Sequence, residues 1–271
     1  MTRKRGFIER SFADRILQEA HELGTQEVGF YATGEPLINP DICHYISTAK
    51  ELGFDYTYLT TNGALLSEKV CEELLAAGID SIKFSINAGT RDSYFRIHGQ
   101  DDFDRVIKNL MYVSYYRAKN NIKVKLFVSF IVNRLNVTEQ DTLKGLLTDY
   151  VDEIVFLPVS NQGGMMYENN DFLMLNENSN TRKRPCNLLF NAFTVTYEGY
   201  LTACCVDFQN YLVIADLNST ALKDAWGSPL YQELRRKHIE NSLEGTLCYN
   251  CIYNTNTKIK PISEQYAAIF N

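Results

Sequence analysis

No apolar run in this chain approaches the roughly 20 residues that a bilayer demands, so no membrane span is expected. Low-complexity tracts are missing, and nothing in the composition marks a disordered chain. Positive charge is not in excess: 27 Lys and Arg face 33 Asp and Glu, a net charge of −6. This argues against a nucleic-acid surface or a polybasic membrane surface, leaving room only for a local basic patch. The start, Met1-Thr2-Arg3-Lys4-Arg5, has basic residues but no apolar stretch behind it, so it does not read as a signal peptide. The expected location is therefore cytoplasmic. In a reducing compartment a disulfide frame is excluded, and seven cysteines point to metal or redox chemistry.

What is present is 271 residues with 45% apolar side chains, enough for one large domain plus a small one, or a single α/β barrel. The run Val28-Gly29-Phe30-Tyr31-Ala32 stops at Thr33-Gly34-Glu35-Pro36, an apolar strand with a polar tip. Periodicity and punctuation predict helices over Phe12–Leu23, Asp41–Leu52, Glu68–Ala77, Asp102–Arg117 and Thr138–Tyr150. They predict strands over Glu27–Tyr31, Tyr56–Thr60, Ser81–Ile86, Lys123–Val132 and Glu153–Val159. Strand and helix alternate with short joints, the pattern of a parallel sheet with right-handed crossovers. Polar residues gather at the C-terminal strand tips: Thr61-Asn62-Gly63, Asn87-Ala88-Gly89 and Asn133 follow the first. Turn chemistry explains any single tip. Four in succession point to the edge where α/β folds carry their sites.

After Val159 the rhythm stops. Ser160 to Asn180, with Gly163-Gly164, reads as a linker crossing the mouth of the barrel. The triplet Arg182-Lys183-Arg184 reads first as a solvated loop, and second as a docking spot for an acidic electron donor. Phe193–Tyr197 and Tyr200–Ala203 around Glu198-Gly199 read as a hairpin that delivers Cys204-Cys205. Neighbours on a strand point to opposite faces, so one of that pair is expected at a shared centre. With Cys186 and the CxxC of Cys248 and Cys251, read as a loop, this makes four ligands, suited to zinc or to an iron–sulfur cluster. Cys71, and less clearly Cys43, read as core thiols.

The motif Thr33-Gly34-Glu35-Pro36-Leu37 resembles the glycine–glutamate–proline motif of radical S-adenosylmethionine enzymes, with Thr33 in place of a first glycine. Thr61-Asn62-Gly63 and Phe84-Ser85-Ile86-Asn87 resemble the next two strand tips of that family. Cys186, then Gly199-x4-Cys204, then Cys248-x-x-Cys251 is similar to a shortened SPASM domain, which binds an auxiliary [4Fe–4S] cluster. The resemblance implies a partial (β/α) TIM-like barrel over 1–160 lacking its first strand, a linker over 161–185, a cysteine-rich hairpin/helix domain over 186–253 and a tail over 254–271. It implies that Gly34, Glu35 and Pro36 line the site for the methionyl amine, with Asn62 at the next tip. Ser85 and Asn87 would bind the carboxylate or ribose, His98 or Arg96 the carboxylate, and Asn133 the adenosyl moiety. Cys186, Cys204 (or Cys205), Cys248 and Cys251 would hold the auxiliary cluster. Leu222–Trp226 and Pro229–His238 match the short helical stretch of relatives with one auxiliary cluster. Trp226 reads as a core anchor, and Asp207 as a turn carboxylate.

The family's CxxxCxxC loop, which holds the cluster that activates the cofactor, is not in these residues. The expectation is a chain that starts just past that loop, with the first [4Fe–4S] cluster present only if those cysteines are supplied. The expected activity is a radical oxidoreductase that abstracts hydrogen from a peptide, sugar or other small substrate, with a ferredoxin or flavodoxin as electron donor. The alternative is a non-catalytic module binding zinc or an iron–sulfur centre. An aldolase-type barrel would want a lysine at a strand tip, whereas Lys83 lies inside its strand and Lys123 and Lys125 come early in theirs.

Overall fold

The five predicted strands pair side by side in chain order. In this computed structural model, residues 4–168 and 185–266 are described. After helix α1 (Arg10–Glu22) come β1 (Glu27–Phe30), α2 (Ile42–Leu52), β2 (Tyr56–Thr61), α3 (Glu68–Ala76) and β3 (Ser81–Ser85). Then follow α4 (Arg91–His98), α5 (Phe103–Lys119), β4 (Lys125–Val132), α6 (Gln140–Leu147) and β5 (Glu153–Pro158). The sheet order is β1-β2-β3-β4-β5 and every pairing is parallel. A parallel sheet wound in chain order with a helix in each crossover is a partial TIM-like barrel. The chain divides into two compact units, Gly24–Val159 and a second made of Met1–Leu23 with Ser160–Asn271. No helix among the described residues is long and apolar enough to cross a membrane.

Alternation decides which strand residues are buried against the helices. Leu59, Ile82, Phe84, Leu126, Val128 and Phe130 share one core with Ile46, Leu74, Leu110, Leu143 and Leu147. Cys71 is fully buried in that core, as its helical neighbours implied. α2 stops at Gly53 in the left-handed conformation (φ +100°) and α3 starts at Ser67, whose hydroxyl accepts from Val70 N. The short helix α4 was not anticipated, although Thr90 caps it and Gly99 closes it.

The N-terminal edge of the sheet is held by two aspartates that precede strands. Asp80 Oδ2 accepts from Thr57 N at 2.7 Å, Thr57 Oγ1 at 3.0 Å and Lys50 Nζ at 2.9 Å. Asp152 Oδ2 accepts from Leu126 N at 2.7 Å and from Arg117 Nη1. Burial pushes the Asp152 carboxyl up, but the Leu126 N–H and the Arg117 guanidinium outweigh it and hold the group below its ordinary value.

In the second unit, α7 (Leu188–Asn191) leads to an antiparallel sheet of β6 (Thr194–Val195), β7 (Tyr200–Thr202) and β8 (Val213–Asp216). The predicted hairpin is there, shorter at both ends, and turns at Gly199 with φ +92°. A Cβ at Gly199 would stand 2.3 Å from Asn218 Nδ2. The third strand, β8, was not anticipated. Helices α8 (Leu222–Trp226), α9 (Pro229–Glu240), α10 (Leu247–Tyr253) and α11 (Ile262–Gln265) follow. Trp226 is only half-buried, edge-on to Tyr231 at 5.1 Å. Helix α1 belongs to this unit: Glu19 Oε2 accepts from Leu222 N at 2.7 Å, and Arg15 Nη2 donates to Leu217 O at 2.6 Å. The segment 1–160 therefore contributes its first helix to the other compact unit.

The described part of the stretch read as a linker bonds α10. Asn161 Nδ2 donates to Asn250 O and to Asn254 Oδ1, each at 2.9 Å. Gly163 and Gly164 have φ of +68° and +80°, and a Cβ on them would lie 2.5 Å from Leu247 Cγ and Thr255 O. The glycine pair is thus a close-packing device. The rest of that linker, 169–180, and the basic triplet 182–184 lie outside the described residues.

Asp80→Ala strips an acceptor from the Thr57 N–H, and urea denaturation is expected to show a loss of roughly 1–3 kcal/mol. Asp152 has a depressed folded-state pKa, so its contribution is present above the unfolded value and lost as pH falls through the folded one. The stability gap between wild type and Asp152→Asn should be full at neutral pH. It should shrink below about pH 4.

Candidate functional site

The strand tips at the C-terminal edge of the parallel sheet end in backbone groups that no neighbouring strand completes. Side chains complete them. After β1, Gly34 has φ +135° and open space where a Cβ would sit, so conformation and not crowding calls for glycine. Glu35 then caps a 3-10 turn, Pro36–Ile38. Its Oε1 accepts from Leu37 N at 3.1 Å and from Thr61 Oγ1 at 2.7 Å, and its Oε2 from Asn62 N at 2.8 Å. The carboxylate expected to line an ammonium site thus ties the β1 tip to the β2 tip. Thr33 and Gly34 beside it are exposed. Asn62 Oδ1 accepts from Ala64 N at 2.9 Å, a side-chain turn.

On β3, Ser85 stands opposite Ser129 of β4, with their hydroxyls 3.5 Å apart. Asn87 adopts φ +54°, and its Oδ1 accepts from Ile131 N at 2.8 Å. Asn133 is buried, and its side chain serves the local turn: Nδ2 donates to Ile131 O at 3.0 Å and Oδ1 accepts from Leu135 N at 2.8 Å. His98 Nε2 bonds Ile86 O at 2.8 Å, and its ring stacks on Tyr94 at 4.2 Å. Burial lowers its pKa, with the Ile86 bond acting the other way. His98 therefore braces the β3 tip, while Arg96 is exposed, 4.0 Å from Asp92 of its own helix.

Two residues of this edge were missed. Asn136 is fully buried; its Nδ2 donates to Asn87 O at 2.7 Å and Ile131 O at 2.9 Å, and its Oδ1 accepts from Asn133 N at 2.8 Å. Glu139 accepts from Gly89 N at 2.8 Å, from Thr90 Oγ1 at 3.1 Å and from Ser93 Oγ. The signal for Asn136 was a second asparagine three residues after a strand-end asparagine, a spacing for side-chain-to-backbone turns. Glu139 carried no local signal, because its partners lie some 50 residues earlier.

The second site lies in the other unit. A cavity with about 350 Å³ of empty space, its open mouth included, is lined by Cys186, Cys204, Cys248 and Cys251. His238 and the apolar Leu189, Ala203, Leu247 and Ile252 complete the lining. Cys186 comes just before α7, Cys204 just after β7, and Cys248 and Cys251 lie in α10. The CxxC is helical and not a loop, capped by Thr246, whose Oγ1 accepts from Tyr249 N at 3.1 Å. Three residues apart on a helix, its two thiols share a face. Cys205 is not in the lining, but its hydrogen bond with Cys204, together with burial, raises the Cys204 thiol well above its ordinary pKa. Among the described residues no three His, Cys, Asp or Glu side chains form a set that could hold a single metal ion.

Asp207, three residues past Cys204, is a buried turn carboxylate. It accepts from Thr202 Oγ1 at 2.9 Å, Tyr211 N at 2.8 Å and Leu212 N at 2.7 Å. It shapes the loop that presents Cys204 and does not face the cavity. On α9, Arg235 lies 4.2 Å over the Trp226 ring and 3.8 Å over the Tyr231 ring, and bonds Leu189 O and Trp226 O at 2.9 and 3.0 Å. His238, one turn on, is 2% exposed, and neither ring nitrogen has a partner. Burial alone lowers its pKa to about 4.

Comparison with known proteins covers both sites. The model of the radical SAM superfamily matches residues 2–144, and that of an iron–sulfur cluster-binding domain matches 186–252. A probable GTP 3′,8-cyclase of Saccharolobus solfataricus is 37% identical over 109 residues, 39% of this chain and 32% of that protein. An uncharacterized protein of Methanocaldococcus jannaschii is 32% identical over 123 residues, 45% of this chain and 41% of that protein. The match thus spans well under half the length of either relative. Among solved structures, Streptococcus suis SuiB superposes with a TM-score of 0.65 at 16% identity, covering 87% of this chain and 63% of that one. BtrN in complex with AdoMet and 2-DOIA gives 0.59 at 16%, covering 94% and 82%. The anSMEcpe structure with bound AdoMet gives 0.62 at 12%, covering 99% and 89%. At these identities the likeness shows the fold.

Replacing Asn136 tests the tip network. Asn136→Ala takes the side-chain partner from Asn87 O and the Asn133 N–H and one of two donors from Ile131 O, a loss of roughly 1–3 kcal/mol. Asn136→Asp sets a carboxylate against two carbonyl oxygens and should cost more. Hydrogen exchange at Asn133 should rise in both variants.

Proposed function

The chain belongs to the radical SAM superfamily and carries an iron–sulfur cluster-binding domain, and on that premise we propose that its strand tips hold S-adenosylmethionine while its four cavity thiols hold an auxiliary [4Fe–4S] cluster. The observation that carries this is the cavity lined by Cys186, Cys204, Cys248 and Cys251. Zinc binds thiolates at ≈ 2.3 Å, which brings the sulfurs within about 4 Å of one another. These four thiols surround an apolar space and form no such compact set. A four-iron cluster needs its four cysteines spread around it. The donor set and the space therefore suit a cluster better than a single ion.

When bound, S-adenosylmethionine would supply the hydrogen-abstracting radical only on taking one electron from a reduced [4Fe–4S] cluster held by a CxxxCxxC loop, which these 271 residues do not contain. The auxiliary cluster supplies an electron acceptor or a substrate ligand. At the β1 tip, the exposed backbone of Thr33 and Gly34 offers carbonyl oxygens to the methionyl ammonium, held in place by the bonds from Glu35 to β2. Ser85 and Asn87 present polar groups at the β3 tip for the carboxylate or ribose, and Asn62, His98 and Asn133 shape the edge around them. The sheet face away from the helices carries Tyr31, Tyr56 and Tyr58, the Tyr58 ring centroid lying 5.7 Å from that of Tyr31 and 6.0 Å from that of Tyr56. These rings exclude water from bound substrate. Gly29 makes room for them, since a Cβ there would lie 2.6 Å from Tyr58.

The substrate class in this reading is a peptide, a sugar or another small molecule. A ferredoxin or flavodoxin is the electron donor. No CxxxCxxC stands in the 271 residues, so cofactor binding and cluster binding are the properties to measure on this chain, apart from turnover.

Anaerobic reconstitution with iron and sulfide should load about four iron atoms per chain. Cys186→Ser, Cys204→Ser, Cys248→Ser and Cys251→Ser should each lower that content, and Cys205→Ser should leave it unchanged. Calorimetric titration with S-adenosylmethionine should show binding that Asn87→Ala weakens. Zinc as the sole metal after oxygen-free purification, with no iron taken up, would sink the cluster reading.

A further inference from the structure

Helix α9 buries the stripe Leu230, Tyr231, Leu234 and His238. The fourth position calls for another apolar residue, and the chain has an imidazole instead. That ring is 2% exposed, and both its nitrogens lack any hydrogen-bond partner. Native interiors leave few polar groups in this state, and each calls for a physical reason, a bound group among them. The ring lines the cavity with the four thiols, and its other lining neighbours are apolar. The Arg235 guanidinium one turn earlier is drawn to Leu189 O, Trp226 O and the Trp226 and Tyr231 rings. Arg235 Nη2 is likewise buried without a partner, but Arg235 is not in the cavity lining, so His238 is the α9 donor that faces the cavity.

We propose that His238 is a positioning residue that donates its ring N–H to a sulfur of the cluster held by Cys186, Cys204, Cys248 and Cys251, and so raises the reduction potential of that cluster. This rests on the cluster reading of the cavity. An imidazole carries at least one N–H donor in either protonation state. A cluster with four thiolates is negative in both oxidation states and more so when reduced. An N–H aimed at its sulfur therefore stabilises the reduced form more, and apolar walls magnify the difference. The step is a one-electron uptake from an external reductant, with no bond broken and no proton transferred.

The test uses the whole chain reconstituted without oxygen, as wild type, His238→Phe and His238→Gln. Iron content comes first: a wild type that takes up no iron overturns the cluster reading itself, apart from any role of His238. A dithionite titration followed by electron paramagnetic resonance then reads the potential. At full iron, His238→Phe should be harder to reduce, the oxidised-to-reduced ratio at fixed potential rising about tenfold, equivalent to 59 mV for one electron. His238→Gln, which keeps an N–H, should return toward wild type. Pulsed resonance on the reduced wild type should show a weak nitrogen coupling and an exchangeable proton, both lost in His238→Phe. An unchanged potential in His238→Phe at full iron overturns the proposal. So does a strong nitrogen coupling, which would make the ring an iron ligand. If His238→Phe fails to hold the cluster, His238→Gln decides: full iron at the wild-type potential supports the donor role, and loss of iron there too overturns it.

Discussion

Where the chain leaves the C-terminal tips of a parallel sheet, the ladder no longer pairs its carbonyl and N–H groups, and leaving them unpaired costs stability. In this chain side chains from other tips meet that demand. Glu35 takes donors from Leu37, Thr61 and Asn62, and Asn136 reaches Asn87 and Ile131. His98 holds Ile86 O. The shape of the edge where a cofactor binds depends on these bonds, because they set the direction in which each tip leaves its strand. Residues that read as direct ligands are, in several cases, the braces of that edge. Such braces matter to function through geometry, as supporting groups around metal and cofactor sites do.

The thiol cavity follows a related logic in the second unit. Its four cysteines come from three separate stretches, and each stretch is held by contacts that do not involve sulfur. Asp207 shapes the loop after Cys204, Asn161 bonds the helix of Cys248 and Cys251, and Arg235 bonds Leu189 O in the helix that follows Cys186. Contacts other than sulfur thus position the four thiols around the cavity. A cavity with apolar walls and one unpartnered imidazole is suited to a low-dielectric redox centre, where single hydrogen bonds have large effects.

Much of the parallel sheet was legible in the sequence because strand alternation and helix periodicity are local. The strands Tyr56–Thr61 and Lys125–Val132 fall within a residue or two of their expected bounds, and Gly53 and Ser67 mark their helix ends as expected. Among the short features that escaped are α4, α7, β8, α11 and the helical state of the CxxC. Each is too short for a period to show. Gly163-Gly164 read as linker punctuation, since only the neighbouring Leu247 and Thr255 reveal why no side chain fits.

The amino-acid sequence by itself determined the fold class, the order of the strands, the polar tips and the spacing of the cysteines, because these depend on neighbours within a turn or a strand. Only the tertiary structure decided that Cys204 and not Cys205 lines the cavity, that Glu35 and His98 brace backbone, and that His238 joins the four thiols. The physical reason is distance along the chain: hydrogen bonds from Asn136 to Asn87, or a cavity shared by residues 186 and 251, arise from packing that no local pattern encodes.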